Sequence, residues 1–309
     1  MGRLLSAGGP GGGAGGLPPS QGVLPDHGPG KQLDRRLTPE ALALAPAPPP
    51  SALGHWAEIA RRLESTRPAL FLDFDGTLAP LVSRPDLAEI PAATRDALAR
   101  VATRFPVALL SGRDREDVAA RVDLPDLVYA GSHGFDIAGP GLRHAVGEGV
   151  PEQIASAAAS LQQQLAGIPG ILIEPRRFAL SVHYRRTPED RLPEIERAVE
   201  ATAAKHPKLR KALGKKLFEL RPDLDWDKGK ALLWVLREMG LTGPEVLPIY
   251  IGDDLTDEDA FRAIAHIGER GGIGIVVLEE PRETAAAYSV RDTGEVREIL
   301  ERLTALVWP

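Results

Sequence analysis

The 309-residue chain contains no cysteine and no asparagine. Without thiols there is no thiol nucleophile, no structural thiolate zinc site and no disulfide. Without asparagine there is no acceptor for N-glycosylation. A cysteine-free composition fits the cytosol, and a cytoplasmic location is expected. No apolar run approaches the roughly 18 residues a membrane span needs, and the N-terminus lacks the apolar core of a secretory signal. Basic charge is not in excess either. The 37 Lys and Arg against 43 Asp and Glu leave a net charge of −6, which argues against nucleic acid or an anionic membrane as a partner. A monomer acting on a small molecule is expected.

What is present is unevenly spread. Residues 1–50 hold 11 Gly and 10 Pro, 42% of that segment, against 15% in the rest of the chain. Such a segment cannot bury enough apolar surface to offset its ordering entropy, so 1–50 reads as a disordered tail ending in the short extended spacer 46-PAPPP-50. Gly11, Gly13 and Gly16 match G-x-G-x-x-G, and Met1-Gly2 with Ser6 matches a myristoylation pattern. Neither carries weight: the glycines have no strand before them and no helix after, and the second pattern is common by accident.

From Ala52 onward, apolar runs of strand length alternate with amphipathic segments. Strands are expected at 69–74, 107–111, 127–134, 247–254 and 273–279, with helices between and after them. This alternation predicts an α/β fold, a Rossmann-like parallel sheet with helices on both faces. The rhythm changes after about Asp136. Short strands at 171–174, 178–184 and 217–221 interleave with helices near 151–166 and 189–204, as in a separate α+β layer. The expected division is a core at 52–137 and 222–309, interrupted by an inserted α+β domain at 138–221. Residues 135–141 and 221–226 would be its linkers.

The sharpest chemical signal is 73-DFDGTL-78, directly after an apolar strand. Asp73 and Asp75, at i and i+2 on a turn leaving that strand, point to one side, and Gly76 permits the turn. One carboxylate can attack while the other handles a proton. In open parallel sheets ligands bind beyond the carboxyl ends of strands, where this pair would sit. A second acidic run, 252-GDDLTDEDAF-261, also follows an apolar strand and places Asp253, Asp254 and Asp257 at its end. A solvated helix start could explain Asp257 to Asp259 alone, but not Asp253–Asp254 directly after a buried strand. Carboxylates brought together there would repel unless a hard divalent cation sat between them, which points to magnesium. Ser111 in 111-SGR-113 ends a strand and can donate to a phosphate oxygen. Lys228 begins an amphipathic helix, where a cation disfavours the dipole; an anionic phosphate and carboxylate partner would account for it, and so would a plain surface lysine.

In this order, the Asp-x-Asp-Gly-Thr, Ser, Lys and Gly-Asp-Asp motifs resemble those of the haloacid dehalogenase-like phosphatases, over roughly residues 65–305. The resemblance implies that Asp73 is a nucleophile forming an aspartyl-phosphate. It makes Asp75 first the general acid and then the general base, and assigns the phosphoryl oxygens to Ser111 and Lys228. It implies Mg2+ held by Asp73, the backbone carbonyl of Asp75 and Asp253, with Asp254 as a further candidate. The insertion then corresponds to a cap over the active site. Four stretches, 131-GSHG-134, 174-EPRRFALSVHYR-185, 216-KLFELRP-222 and the full GDDLTDEDAF, are similar to those of trehalose-6-phosphate phosphatases. That family implies a phosphosugar substrate contacted by Gly112, Arg113, His133, Glu174, Arg176, His183, Lys216 and Glu219. Read without the family, Glu174 and Glu219 could equally pair with neighbouring Arg residues, and His183 could lie on a strand's outward face. The family usually carries Lys where Arg176 stands. Other capped sugar phosphatases, acting on sucrose 6-phosphate, mannosyl-phosphoglycerate or a hexose phosphate, would share the core motifs. A noncatalytic phosphosugar-binding domain would be expected to lose one of Asp73, Asp75, Ser111, Lys228 or Asp253, and all five are present.

Overall fold

The computed structural model describes residues 47–306 apart from Ser83 and Lys215, so the expected tail lies outside the described residues up to residue 46. In chain order, β1 (Arg67–Leu72), β2 (Val107–Leu110), β3 (Val128–Gly131), β4 (Asp136–Gly139) and β5 (Leu142–Ala145) lead into a second set of strands. That set is β6 (Leu172–Pro175), β7 (Leu180–His183), β8 (Leu209–Gly214) and β9 (Leu217–Pro222). The chain then returns to the first sheet with β10 (Val246–Gly252), β11 (Ile273–Val277) and β12 (Tyr288–Val290). The large sheet has the order β12-β11-β10-β1-β2-β3-β4-β5, parallel from β12 to β3 with an antiparallel hairpin, β4–β5, at one edge. The second sheet is antiparallel, ordered β6-β7-β9-β8.

Strand β1 shows why the large sheet needs helices on both sides. Ala69 and Phe71 face one apolar cluster, with Tyr250 and Val276, while Leu70 and Leu72 face another, with Leu109 and Ile249. All four are buried, as a strand with near-continuous apolar sequence requires. One cluster is covered by α1 (Trp56–Leu63), α2 (Ala92–Ala102), α3 (Arg115–Val122) and α8 (Thr293–Ala305), the other by α6 (Lys228–Glu238) and α7 (Glu258–Ala265). The second sheet has its own core with α4 (Val150–Leu165) and α5 (Leu192–Lys205), in which Ile154, Leu161, Val182, Ile195, Phe218 and Leu220 are buried.

Two boundaries differ from the sequence reading. Residues 138–145, assigned to the inserted layer, lie in the β4–β5 hairpin of the large sheet. Pro140-Gly141 is the two-residue turn of that hairpin rather than a linker, with Gly141 at φ +70° as a type II turn requires. The chain therefore leaves the large sheet after Ala145. The segment expected to be a spacer up to Pro50 is also bound. Ser289 of β12 donates its N–H to the Pro50 carbonyl at 2.9 Å and its hydroxyl to the Pro49 carbonyl at 2.7 Å.

Candidate active site

Three neighbouring parallel strands deliver the acids and the serine to one end of the large sheet. Asp73 follows β1, and its N–H donates to the Ile251 carbonyl of β10 at 2.9 Å, which brings it beside the Asp253–Asp254 turn. Ser111 follows β2, is 1% exposed, and accepts from the Arg113 N–H at 3.1 Å. Gly76 makes the approach of the first two strand ends possible. Its φ is +75°, and a Cβ there would lie 2.1 Å from Asp253 Oδ2. Lys228, 2% exposed, opens α6 and puts Nζ 3.1 Å from Asp73 Oδ1 and 2.6 Å from Asp257 Oδ1. Asp227 caps that helix by accepting from the Lys230 N–H at 2.8 Å.

Asp257 is placed at the strand end by the sequence, which gives it no role there. Its side chain is fully buried and takes four donors. Lys228 and the Tyr250 hydroxyl (2.5 Å) donate to Oδ1, and the Asp253 and Asp254 N–H groups, each at 2.9 Å, donate to Oδ2. It thereby holds the lysine and shapes the acidic turn at once. The signal was present as an acid one turn into 252-GDDLTDEDAF-261, but the preference of acids for helix starts accounted for it equally well. Carboxylate oxygens of Asp73, Asp253 and Asp257 lie within 4.8 Å of one another and could hold a metal ion. This hard-oxygen donor set fits a divalent cation. Asp254 is not in that trio. Its side chain accepts from the Leu255 N–H at 2.7 Å and caps the turn that leads into α7.

The electrostatics favour a cation. Burial pushes the Asp73 carboxyl well above its ordinary range, with Lys228 opposing and Asp257 and Asp253 adding to the shift. Burial, then Asp257 and Asp254, push Asp253 up to about 7. Burial alone would pull the Lys228 ammonium down, but Asp257 and Asp73 more than offset it, so the lysine stays charged. His133, desolvated and facing Lys228 and Arg221, is pushed down to about 3 and is neutral at physiological pH.

A cleft of about 690 Å³ is bordered by His133 and by Asp75 and Asp254, chain neighbours of the buried acids. Of the residues expected to contact substrate, Gly112, Arg113, His133, Glu174 and Arg176 line it, together with Asp75 and Asp254. Glu219 lines an adjoining recess with Arg176, His133 and Arg221. Glu174 is ion-paired with Arg176 at 3.2 Å, and Glu219 with Arg221. Arg221 borders the cleft and was not singled out from sequence, although it sits two residues from Glu219 and so on the same strand face. His183 reaches the cleft through another side chain, its Nε2 lying 3.1 Å from Glu174 Oε2. Lys216 is not brought to the cleft. It lies at the opposite end of β9 from Arg221, five residues or about 17 Å away, and lines a separate hollow with Tyr184 and Thr187.

Residues 71–294, which contain every acid of this site, match the family model described as Trehalose-phosphatase. The chain belongs to that family. A trehalose-phosphate phosphatase of Mycobacterium tuberculosis (strain ATCC 25618 / H37Rv) is 43% identical over 280 residues, covering 87% of this chain and 67% of that protein. A second, from Mycobacterium avium (strain 104), is 44% identical over 248 residues, covering 78% and 63%. Among solved structures, one described as a trehalose-6-phosphate phosphatase related protein aligns with a TM-score of 0.63 at 26% identity, over 76% of this chain and 96% of that one. As a trehalose-phosphatase family member, the chain is a phosphatase of the haloacid dehalogenase-like type. No helix among its described residues is long and apolar enough to cross a membrane.

Proposed function

We propose that this chain hydrolyses trehalose 6-phosphate to trehalose and inorganic phosphate. The observation that carries the reading is the buried Asp73–Lys228 contact, 3.1 Å long, clustered with Asp253, while Asp75 and Asp254 next to these acids line a cleft walled by Glu174, Arg176 and Arg221. Asp73 Oδ attacks phosphorus, forming an aspartyl-phosphate as the P–O bond to the sugar breaks. Asp75 gives its proton to the departing sugar oxygen, then takes one from the water that attacks the aspartyl-phosphate. Lys228 and the Ser111 hydroxyl hold the phosphoryl oxygens, and the ammonium offsets the charge that gathers on them. Asp73, Asp253 and the backbone carbonyl of Asp75 would hold Mg2+. Asp254, occupied as a helix cap, is the weaker candidate ligand. Bound there, the ion would supply positive charge to the phosphate dianion and lower the repulsion between it and the carboxylates.

The four strands β6–β9 with α4 and α5, residues 150–222, are read as a cap over this cleft. It presents two carboxylates, Glu174 and Glu219, beside two guanidiniums, Arg176 and Arg221, a set suited to the paired hydroxyls of a glucose ring. His183 would orient Glu174 rather than touch substrate, and Lys216 would lie outside the contact surface. Opening would pivot on 146–149, where Gly147 and Gly149 have φ of +86° and +75°, and on 223–227.

Phosphate release across trehalose 6-phosphate, sucrose 6-phosphate, mannosyl-phosphoglycerate and glucose 6-phosphate, with and without chelator, tests the reading. Preference for trehalose 6-phosphate, dependence on Mg2+, and a loss of at least about a thousandfold in Asp73→Asn are expected. A full-rate Asp73→Asn enzyme would sink the mechanism, and tight binding without turnover would make the protein a sensor.

A further inference from the structure

Asp75 does not stand loose in the cleft. Arg113 grips both of its oxygens, Nε to Oδ2 and Nη2 to Oδ1, each at 2.7 Å. A two-point contact of this kind fixes the plane of a carboxylate as well as its place. The Arg113 side chain is 9% exposed and that of Asp75 36%, so the clamp is rooted in protein while its cargo faces the cleft. What roots the clamp is Asp117. Arg113 Nη1 donates to Asp117 Oδ2 at 2.9 Å, and Asp117 Oδ1 accepts from Arg121 Nε at 2.8 Å. Arg121 Nη1 in turn donates to the Ala88 carbonyl at 2.6 Å and reaches that of Asp86 at 3.3 Å.

Residues 113, 117 and 121 are spaced by four, so they stack along one face of α3 and the turn before it. Asp117 is the anion between two guanidiniums. Remove its charge and Arg113 keeps Asp75 on one side but meets a like charge on the other, with a long, flexible side chain free to respond. The orientation of the acid–base carboxylate therefore depends on a residue that does not touch it, one that itself lines the cleft beside Arg113.

We propose that Asp117 is a positioning residue for the proton-transfer step, fixing Arg113 so that the Asp75 carboxyl is aimed at the leaving oxygen. Through Arg121 the same carboxylate joins that clamp to the backbone at 86–88, beside the stretch that supplies Leu81, Val82 and Asp86 to the cleft wall. This rests on the reading of Asp75 as proton donor. It extends that reading to a residue that none of the sequence motifs contains.

The test uses leaving groups of unequal need. A sugar alkoxide must be protonated as it departs, whereas p-nitrophenolate leaves with little help. First-turnover rates are measured by rapid quench for trehalose 6-phosphate and by the nitrophenolate burst for p-nitrophenyl phosphate, so the later hydrolysis of the aspartyl-phosphate does not enter. In Asp117→Ala, release of trehalose is expected to slow about tenfold, part of the hundredfold or more that proton transfer contributes. The nitrophenolate burst should stay within about twofold of the native rate, and Asp117→Glu should recover part of the loss. Equal losses on both substrates, or no loss on either, would overturn the proposal, since a merely structural role moves both alike. Should the unaltered protein leave trehalose 6-phosphate intact, the substrate reading fails by itself. The same ratio is then measured on the alkyl phosphate it does hydrolyse.

Discussion

Asp253 and Asp73 are the residues at which composition, geometry and charge meet. Two carboxylates that both titrate above their ordinary range are a cost the fold bears for bringing three acids within 4.8 Å. The sign of the consequence follows from linkage. A carboxyl raised from 3.8 to about 7 binds a proton in the folded state that the unfolded chain has already released, so its contribution is present at low pH and lost as pH rises through about 7. In chelator, the unfolding midpoint should therefore fall between about pH 5 and about pH 8. Saturating Mg2+ should remove most of that fall, and Asp253→Asn should flatten the chelator curve. Differential scanning fluorimetry at fixed ionic strength reads all three, and a flat chelator curve for the native protein would contradict the assignment. At this scale the sequence was informative where two motifs reinforced each other and silent where one residue served two ends. Asp73, Asp75 and Asp253 announced themselves by following apolar runs. Asp257 was masked because a helix-start acid is common for its own reasons.

Helix α6 illustrates the scale of the element. Its first residue is the buried Lys228, and the residue before it, Asp227, supplies the cap. Asp227→Ala should cost about 1 kcal/mol of stability by denaturant titration, the usual loss for such a cap. It should also lower turnover, because the lysine rides on the turn that the cap holds. Asp227→Ser, which keeps an acceptor oxygen, is expected to restore both. If stability drops and turnover does not, the lysine is held by Asp257 and Asp73 alone. The strands and helices of the large sheet were legible because apolar runs of four to six residues and helical periodicity are strong signals. Those missed share a cause. The β4–β5 hairpin has a Gly-Pro-Gly corner that reads as a linker. Strand β12 is three residues long, and β8 is a basic edge strand whose Leu213 is 74% exposed, so it lacks a clean apolar face.

At the scale of the whole molecule, a buried carboxylate and an aromatic stack both join the two sheets. Asp136 of β4, its side chain 3% exposed, pairs with Arg115 of α3 at 3.1 Å and with Arg177, from the β6–β7 loop of the second sheet, at 2.7 Å. Phe135 stacks on Phe178 beside it, with ring centroids 5.8 Å apart. Neither tie was visible in the sequence, because both join residues some forty positions apart that no pattern links.

The proline-rich segment before residue 51 acquires a different meaning at this scale. Strand β12 ends the large sheet, and Ser289, whose N–H and C=O face away from β11, is met by the Pro50 carbonyl and the Ala52 N–H. Pro48, Pro49 and Pro50 have no N–H to offer, so a further strand cannot add itself beyond them. Deleting the chain through Pro50 should leave the fold intact by circular dichroism yet raise concentration-dependent light scattering. A chain beginning at residue 47 should scatter like the full-length protein. On that outcome, the segment that looked like a mere spacer would be a guard against sheet-to-sheet polymerisation, placed where a parallel sheet is most open to it.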